Sequence, residues 1–355
     1  MSRFLSENLI NIKPYEPGEQ PRSSEKWIKL NTNESPFSPS KNVKNLINNY
    51  DYSKLRLYPD PSCYSLISKL SDEFKVNKSQ IIVGNGSDEI LAFSFMGLCK
   101  NGAAFSDLTY GFYPVFSNLF NIKTKIVELN NSFEIDINDY KGLKETIIIA
   151  NPNAPTGIEL SVKCIKKLLE SDKDRLVIID EAYVDFGAES SIKLVKEYDN
   201  LLVIGTFSKS RNLAGARIGY AVASEEIIAD LNAIKFSFNP YNLSSLSIDI
   251  GVEALCDKEY FKSCIEQIVS NREYLTNKLE DLGFEIVKSK ANFIFVRPLG
   301  IAGKKYYERL KEKGVLVRYF DKTRTKDYVR ITIGTIKDCD ILIEMTKEIL
   351  SEVGR

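Results

Sequence analysis

The chain has 355 residues, 43% hydrophobic and 27% charged, the balance of a globular protein long enough for a large core and two domains. Lys plus Arg and Asp plus Glu both number 48, so no basic excess points to nucleic acid, and no apolar run is long enough to span a bilayer. Histidine is absent, which excludes a Ser-His-Asp triad, a Cys-His dyad, a histidine-ligated metal and a histidine base, so proton transfer must use Lys, Tyr, Asp, Glu, Cys or a cofactor.

Residues 1–45 read as a turn-rich arm. Within it Ile12-Lys13-Pro14-Tyr15-Glu16-Pro17-Gly18 is extended, because residues before proline avoid the helical region. Residues 1–15 lack the apolar core of a secretory signal. The six cysteines are scattered without a C-x-x-C, as in a reduced, cytoplasmic protein. Leu66, Ile67, Leu70 and Phe74 give residues 62–74 a helical period. A strand over 80–83 runs into Gly84-Asn85-Gly86-Ser87-Asp88-Glu89, with Ser87 as N-cap of a helix through Leu98. Such a strand–turn–helix junction can take an anion. A strand over 102–105, an aromatic-rich helix over 112–120 and a strand over 123–129 follow.

Three apolar strands then end in polar clusters. Thr146-Ile147-Ile148-Ile149-Ala150 ends in Asn151-Pro152-Asn153-Ala154-Pro155-Thr156-Gly157. Leu176-Val177-Ile178-Ile179 ends in Asp180-Glu181-Ala182-Tyr183, and the strand from Leu201 ends in Thr206-Phe207-Ser208-Lys209. Continuously apolar strands separated by helices imply an α/β fold with a mostly parallel sheet covered on both faces. Ligands then sit beyond the carboxyl ends of the strands. A helix begins at Glu225 and breaks near 236–241, and residues 244–282 are largely helical. Strands over 284–287, 293–296, 315–318 and 328–334 follow, with helices over 306–313 and 341–350. This change of pattern places a large domain at 46–244 and a smaller α+β domain at 245–355, with the arm 1–45 contributing to the smaller one.

Lys209 lies just past a buried strand, among hydroxyls and near Arg217. Desolvation and a neighbouring cation both favour the neutral amine, which can form a Schiff base. It can do so directly with a carbonyl substrate, but Asp180 argues for a cofactor. A buried aspartate at a strand end needs a partner, and the ring nitrogen of pyridoxal 5′-phosphate (PLP) supplies one. In that reading Tyr183 donates to the ring oxygen and Tyr110 covers the ring face. The phosphate takes the backbone N–H groups of Gly86 and Ser87, the hydroxyls of Thr206 and Ser208, and Arg217. Singly, Asp180 is as well read as a helix cap, the tyrosines as core and Arg217 as a surface charge; their joint order and spacing favour the functional reading. Nothing suggests a metal.

With these residues in view, the chain resembles the fold-type I PLP-dependent aminotransferases, in particular the branch that acts on histidinol phosphate. The resemblance rests on Leu30-Asn31-Thr32-Asn33-Glu34-Ser35-Pro36, Tyr58-Pro59-Asp60-Pro61, the 84–89, 151–157 and 180–183 clusters, Ser208-Lys209, Leu213-Ala214-Gly215-Ala216-Arg217 and Arg330-Ile331-Thr332-Ile333-Gly334. It implies a seven-stranded large-domain sheet, a small-molecule amino donor and a 2-oxo acid as substrates, and a homodimer with shared active sites. It further implies that Tyr58 reaches the cofactor phosphate of the other copy, and that Arg330 grips a substrate anion. Arg318 would take the phosphate of the donor, and Tyr15 and Asn33 would close over the substrate. One departure is visible. The family usually carries asparagine directly before Pro-Thr-Gly, where this chain has Ala154. Either Asn153 contacts the ring oxygen through a shifted turn, or Tyr183 holds it alone. A threonine-phosphate decarboxylase-like lyase and an aromatic aminotransferase are rival enzymes. Arg330 does not separate the lyase, since arginine serves carboxylate and phosphate equally. A cofactor-binding regulator without activity is a rival of another class.

Overall fold

The computed structural model describes residues 2–6, 9–10, 12–21 and 27–353. In its first part, β1 (Ile28–Lys29), α1 (Lys41–Asn48) and α2 (Tyr64–Phe74) precede β2 (Ile81–Asn85), α3 (Ser87–Leu98), β3 (Ala103–Ser106), α4 (Phe112–Leu119) and β4 (Thr124–Val127). Then come β5 (Thr146–Ala150), α5 (Val162–Glu170), β6 (Val177–Asp180), β7 (Leu201–Thr206), β8 (Ile218–Val222), α6 (Glu225–Phe238) and α7 (Ser245–Cys256). Seven of the strands form one sheet in the order β2-β8-β7-β6-β5-β3-β4. All run parallel except β8, which is antiparallel to both neighbours.

The strand periodicity assigns the two faces. Ile147, Ile149, Val177, Ile179, Leu201 and Val203 pack on one side with α2, α5 and α7. Ile148, Ala150, Ile178, Leu202 and Ile204 pack on the other with α3, α4 and α6. Each buried aliphatic side chain contributes about 1.5–3 kcal/mol, so consecutive apolar residues are stable only because both faces are covered.

The second part holds α8 (Lys258–Asp281), β9 (Phe284–Val287), β10 (Phe293–Pro298), α9 (Gly303–Glu312), β11 (Val315–Leu316), β12 (Arg318–Tyr319), β13 (Val329–Thr332) and α10 (Ile336–Val353). Its antiparallel sheet has the order β12-β13-β10-β9. The arm joins it: β1 pairs in parallel with β11, and Leu30 packs in the same core as Phe293 and Ile331.

The structure differs from the sequence expectations at four places. β8 is a strand the sequence reading does not assign, because Ile218-Gly219-Tyr220-Ala221-Val222 sits among small residues that mask its period. The expected strand over 315–318 divides at Val317, one half serving β1 and the other β13. α1 arises inside the supposed arm and boundary, capped by Ser40 Oγ accepting from the Val43 N–H at 3.4 Å. α7 buries Ile248, Ile250 and Leu255 in the large-domain core. α1 and α7 thus pack with α2 on the large sheet's side.

Candidate active site

Ala150 pairs with Asp180 and Asp180 with Ile204, so the clusters following β5, β6 and β7 emerge side by side at one sheet edge. A cavity of about 340 Å³ opens there. Of the expected residues it brings together Ser87, Tyr110, Asp180, Tyr183, Thr206, Ser208, Lys209 and Arg217. A second cavity of about 400 Å³ reaches outward to Tyr15, Asn33, Arg318 and Arg330. The two share Thr32, Tyr110, Ala154, Tyr183 and Lys209. Lys209 therefore stands where they meet, its Nζ donating to the Thr32 carbonyl oxygen at 3.2 Å.

Asp180 is buried at the end of β6. Its Oδ2 accepts from the Tyr113 hydroxyl at 2.9 Å, and its Oδ1 from the Ala182 N–H at 3.3 Å. Burial pushes the carboxyl up to about 6, against the pull of the Tyr113 hydrogen bond. Burial first, and then the Asp180 charge, holds the Tyr113 hydroxyl well above its ordinary range. The phenol is thus a neutral donor to the Asp180 carboxyl. Tyr113 was not singled out from the sequence, where a tyrosine on an aromatic helix reads as core; its signal was only the spacing in Tyr110-Gly111-Phe112-Tyr113.

The junction of β2 and α3 forms one corner. Gly86 has φ +77°, and a Cβ there would collide with the Arg217 guanidinium. A Cβ on Gly219 would collide with the backbone of Gly86 and Ser87, so only glycine lets β8 come this close. Arg217 donates from Nη2 to Asp88 Oδ2 at 3.2 Å, and the Tyr110 hydroxyl donates to Asp88 Oδ1 at 2.7 Å. Asp88, absent from the expected set although it stands in the 84–89 cluster, thus holds both. Two details differ from expectation. The Gly86 N–H is spent on the Arg217 carbonyl at 2.9 Å, continuing the β2–β8 ladder. Ser87 is the first residue of α3 and Gly86 its cap, which leaves the leading N–H groups of α3 without intrahelical partners at the cavity wall. Nearby the Thr206 hydroxyl donates to Ser208 Oγ at 3.0 Å.

In the outer cavity, β12 and β13 pair Arg318 with Arg330, so both arginines line the same wall. Arg330 donates from Nη2 to the Asn31 carbonyl at 2.9 Å, while its buried Nε finds no hydrogen-bond partner among the described residues. Burial, with Arg318 beside it, pulls its pKa below the ordinary value. Such a cation with an unspent donor suits an anionic ligand. Tyr15 stacks on Phe112 at 4.3 Å. Asn33 is buried and fully engaged: it donates from Nδ2 to the Tyr183 hydroxyl at 2.9 Å and accepts from Thr332 Oγ1 at 3.0 Å. Its amide thus holds the Tyr183 hydroxyl. Phe320 and Lys322 also line this cavity and were not foreseen.

Three expected residues lie outside both cavities: Gly86, whose N–H is spent as described, Asn153 and Tyr58. Asn153 turns away, donating from Nδ2 to the Leu108 carbonyl at 3.0 Å and to Thr156 Oγ1 at 3.1 Å, and Ala154 lines the wall in its place. The turn spends the amide internally, so of the two alternatives only Tyr183 faces the cavity. Tyr58 is 81% exposed and stacks on Tyr241 at 4.5 Å. Among the described residues no group of three or more Cys, Asp or Glu is placed to hold a metal, and no helix is long and apolar enough to cross a membrane.

The family model "Aminotransferase class I and II" matches residues 25–345. The histidinol-phosphate aminotransferase of Brachyspira hyodysenteriae (strain ATCC 49526 / WA1) is 47% identical over 353 residues, 99% of each chain. The crystal structure of histidinol-phosphate aminotransferase from Clostridium acetobutylicum superimposes with a TM-score of 0.84 at 24% identity, covering 92% of this chain and 99% of that one. That of the Sinorhizobium meliloti enzyme in complex with pyridoxal-5′-phosphate gives 0.81 at 21%, covering 91% of each. At these identities the two structures speak for the fold.

Proposed function

The chain belongs to the class I and II aminotransferases, and from that premise we propose that it transfers the amino group of L-histidinol phosphate to 2-oxoglutarate, giving imidazole acetol phosphate and L-glutamate, with PLP as cofactor. The observation that carries this reading is the meeting of two cavities at Lys209, one lined by Asp180 and Arg217, the other by Arg318 and Arg330. The name of the full-length relative adds the substrate.

The inner cavity fits PLP in kind. It offers a buried carboxylate for the ring nitrogen, a phenol for the ring oxygen, and hydroxyls, helix N–H groups and a guanidinium for the phosphate. When bound, PLP supplies an electrophilic carbon and an electron-withdrawing ring. Asp180 accepts the ring N–H and keeps that nitrogen protonated. Tyr183, oriented by Asn33, donates to the ring oxygen, and Tyr110 covers the ring. Ser87, Thr206, Ser208 and Arg217 bind the phosphate, with Asp88 fixing Arg217. Lys209 would hold the cofactor through Nζ, and its amine would move the proton at the substrate Cα. Arg330 grips an anionic group of whichever substrate is bound, and Arg318 takes the phosphate of the donor. Tyr15 closes the outer end.

A homodimer belongs to the same proposal, with Tyr58 of one copy at the phosphate site of the other. Its support is the exposed Tyr58–Tyr241 stack. A cytoplasmic location is in keeping with six free cysteines. The test offers the PLP-loaded protein L-histidinol phosphate, threonine phosphate or phenylalanine, each with 2-oxoglutarate. Glutamate formed fastest from the first supports the reading. Carbon dioxide from threonine phosphate would replace it with the lyase, fastest turnover of phenylalanine with the aromatic enzyme, and no turnover of any with a regulator.

A further inference from the structure

One wall of the outer cavity is the loop 320–328 between β12 and β13, which contributes Phe320, Lys322 and Thr325. Its amides bond mainly to itself: Thr325 and Lys326 donate to the Lys322 carbonyl, and Tyr328 to the Thr325 carbonyl. Arg324 ties the loop to the large domain by hydrogen bonds. Its Nη1 donates to Asp107 Oδ2 at 2.6 Å. Its Nη2 donates to the carbonyl oxygens of Leu129 at 2.9 Å and Asn130 at 2.8 Å. The guanidinium lies 5.6 Å from the Phe133 ring centroid. Asp107 is itself fixed, its Oδ1 accepting the Leu129 N–H at 3.0 Å and its own N–H donating to the Val127 carbonyl at 3.1 Å.

Asp107 directly precedes Leu108, Thr109, Tyr110 and Gly111, which line the same cavity. One ion pair therefore joins two walls, one from each domain. Beneath it Leu108, Leu129, Phe133 and Phe295 form an apolar cluster of their own, with Phe320 and Tyr328 packed on it. A guanidinium fork donating to three fixed acceptors sets distance and angle as a lysine point charge does not. Tyr110, which also borders the inner cavity, has its own anchor on Asp88.

We propose that Arg324 and Asp107 form a positioning pair that sets the width of the substrate cavity, holding loop 320–328 against segment 107–111 and so deciding which donors fit. Neither side chain touches the proposed cofactor site. The kinetic part rests on the aminotransferase reading; the structural part does not.

The test compares PLP-loaded wild type with Arg324→Met, Arg324→Lys, Asp107→Asn and the Arg324→Met/Asp107→Asn double variant. Hydrogen exchange across 319–328 is expected to accelerate in Arg324→Met and Asp107→Asn, with β6 and β7 unmoved. KM for L-histidinol phosphate is expected to rise about tenfold, because small misplacements of a binding wall are costly. The expected kcat stays within about twofold and the PLP affinity is unchanged. Arg324→Lys should fall between, and the double variant should be no worse than the worse single one. Unchanged exchange and KM would overturn the proposal. So would a parallel loss of PLP affinity and melting temperature, which marks an ordinary fold contact. If wild type does not turn over histidinol phosphate, the functional reading fails while the exchange measurement still decides the tie.

Discussion

The two cavities that meet at Lys209 are built by different means. The inner one stands mostly on the strand ends of one sheet, with Thr32 and Glu34 of the arm at its rim, and its polar groups already answer one another: Tyr113 to Asp180, Tyr110 and Arg217 to Asp88, Thr206 to Ser208. The outer one is assembled from the arm, a loop of the large domain and the second sheet, and it keeps an unspent donor on Arg330. A resident group favours a preorganised shell, since no reorganisation is then needed at the moment of reaction. Two substrates carrying different anions favour spare cationic donors that pair only on binding. The contrast teaches that preorganisation and adaptability are divided between the two sheets.

The largest break in this contrast is at the shared residue. Lys209→Ala is expected to lower transamination by roughly 10³-fold or more, since anchor and proton carrier are lost together. Single-turnover assays check this, and near-normal turnover would sink the assignment. Next is the outer cavity. Arg330→Ala should raise KM for both substrates by about ten- to a hundredfold, as expected for one or two charged hydrogen bonds. Arg330→Lys should recover little of it. Arg318→Ala should raise KM for histidinol phosphate more than for 2-oxoglutarate, and equal effects would deny it the donor phosphate. None of these arginine variants should alter a spectroscopic PLP titration.

The inner cavity gives the smaller effects. Tyr113→Phe removes one donor from Asp180 and is expected to weaken PLP binding by about 1–2 kcal/mol. That titration should move while KM for either substrate hardly does; the reverse pattern would place Tyr113 outside the inner network. A last effect is on stability. Burial pushes Asp180 up to about 6 and Glu181 up to about 7. Unfolded carboxyls titrate near 4, so between roughly pH 4 and 7 the native cofactor-free chain binds more protons than the unfolded one. Its stability from these groups is therefore full at the acid end and falls as pH rises. Thermal melts at pH 5 and 8 should show a wild-type difference that Asp180→Asn and Glu181→Gln each reduce. A variant with an unaltered difference would refute the sign.

Much of the inner site was legible because each residue lies within a few positions of a continuously apolar strand. Asp180 ends one strand and Lys209 follows another, so the sheet alone brings them together. The mostly parallel seven-stranded sheet and the smaller α+β unit followed from the same runs and the family resemblance. Tyr113 was not legible, because its partner is 67 positions away and an aromatic on a buried helix face has an ordinary explanation. The direction of Asn153 was also hidden, since it depends on which carbonyl a tight turn presents to its amide. Nor did the apolar pattern reveal that α7 belongs with α1 and α2, because a helix period marks a buried face without naming what covers it.

By itself, the sequence determined most of the strands, their polar ends and the exclusion of histidine chemistry, and it put a lysine, an aspartate and an arginine beside those ends. These are local properties, readable from side-chain period and spacing. Only the tertiary structure decided that Arg318 and Arg330 stand side by side, that Tyr113 and Asp88 support the inner site, and that Arg324 ties one domain's wall to the other's. Those depend on strand register and domain packing, in which residues far apart in the chain become neighbours, and no local pattern encodes them.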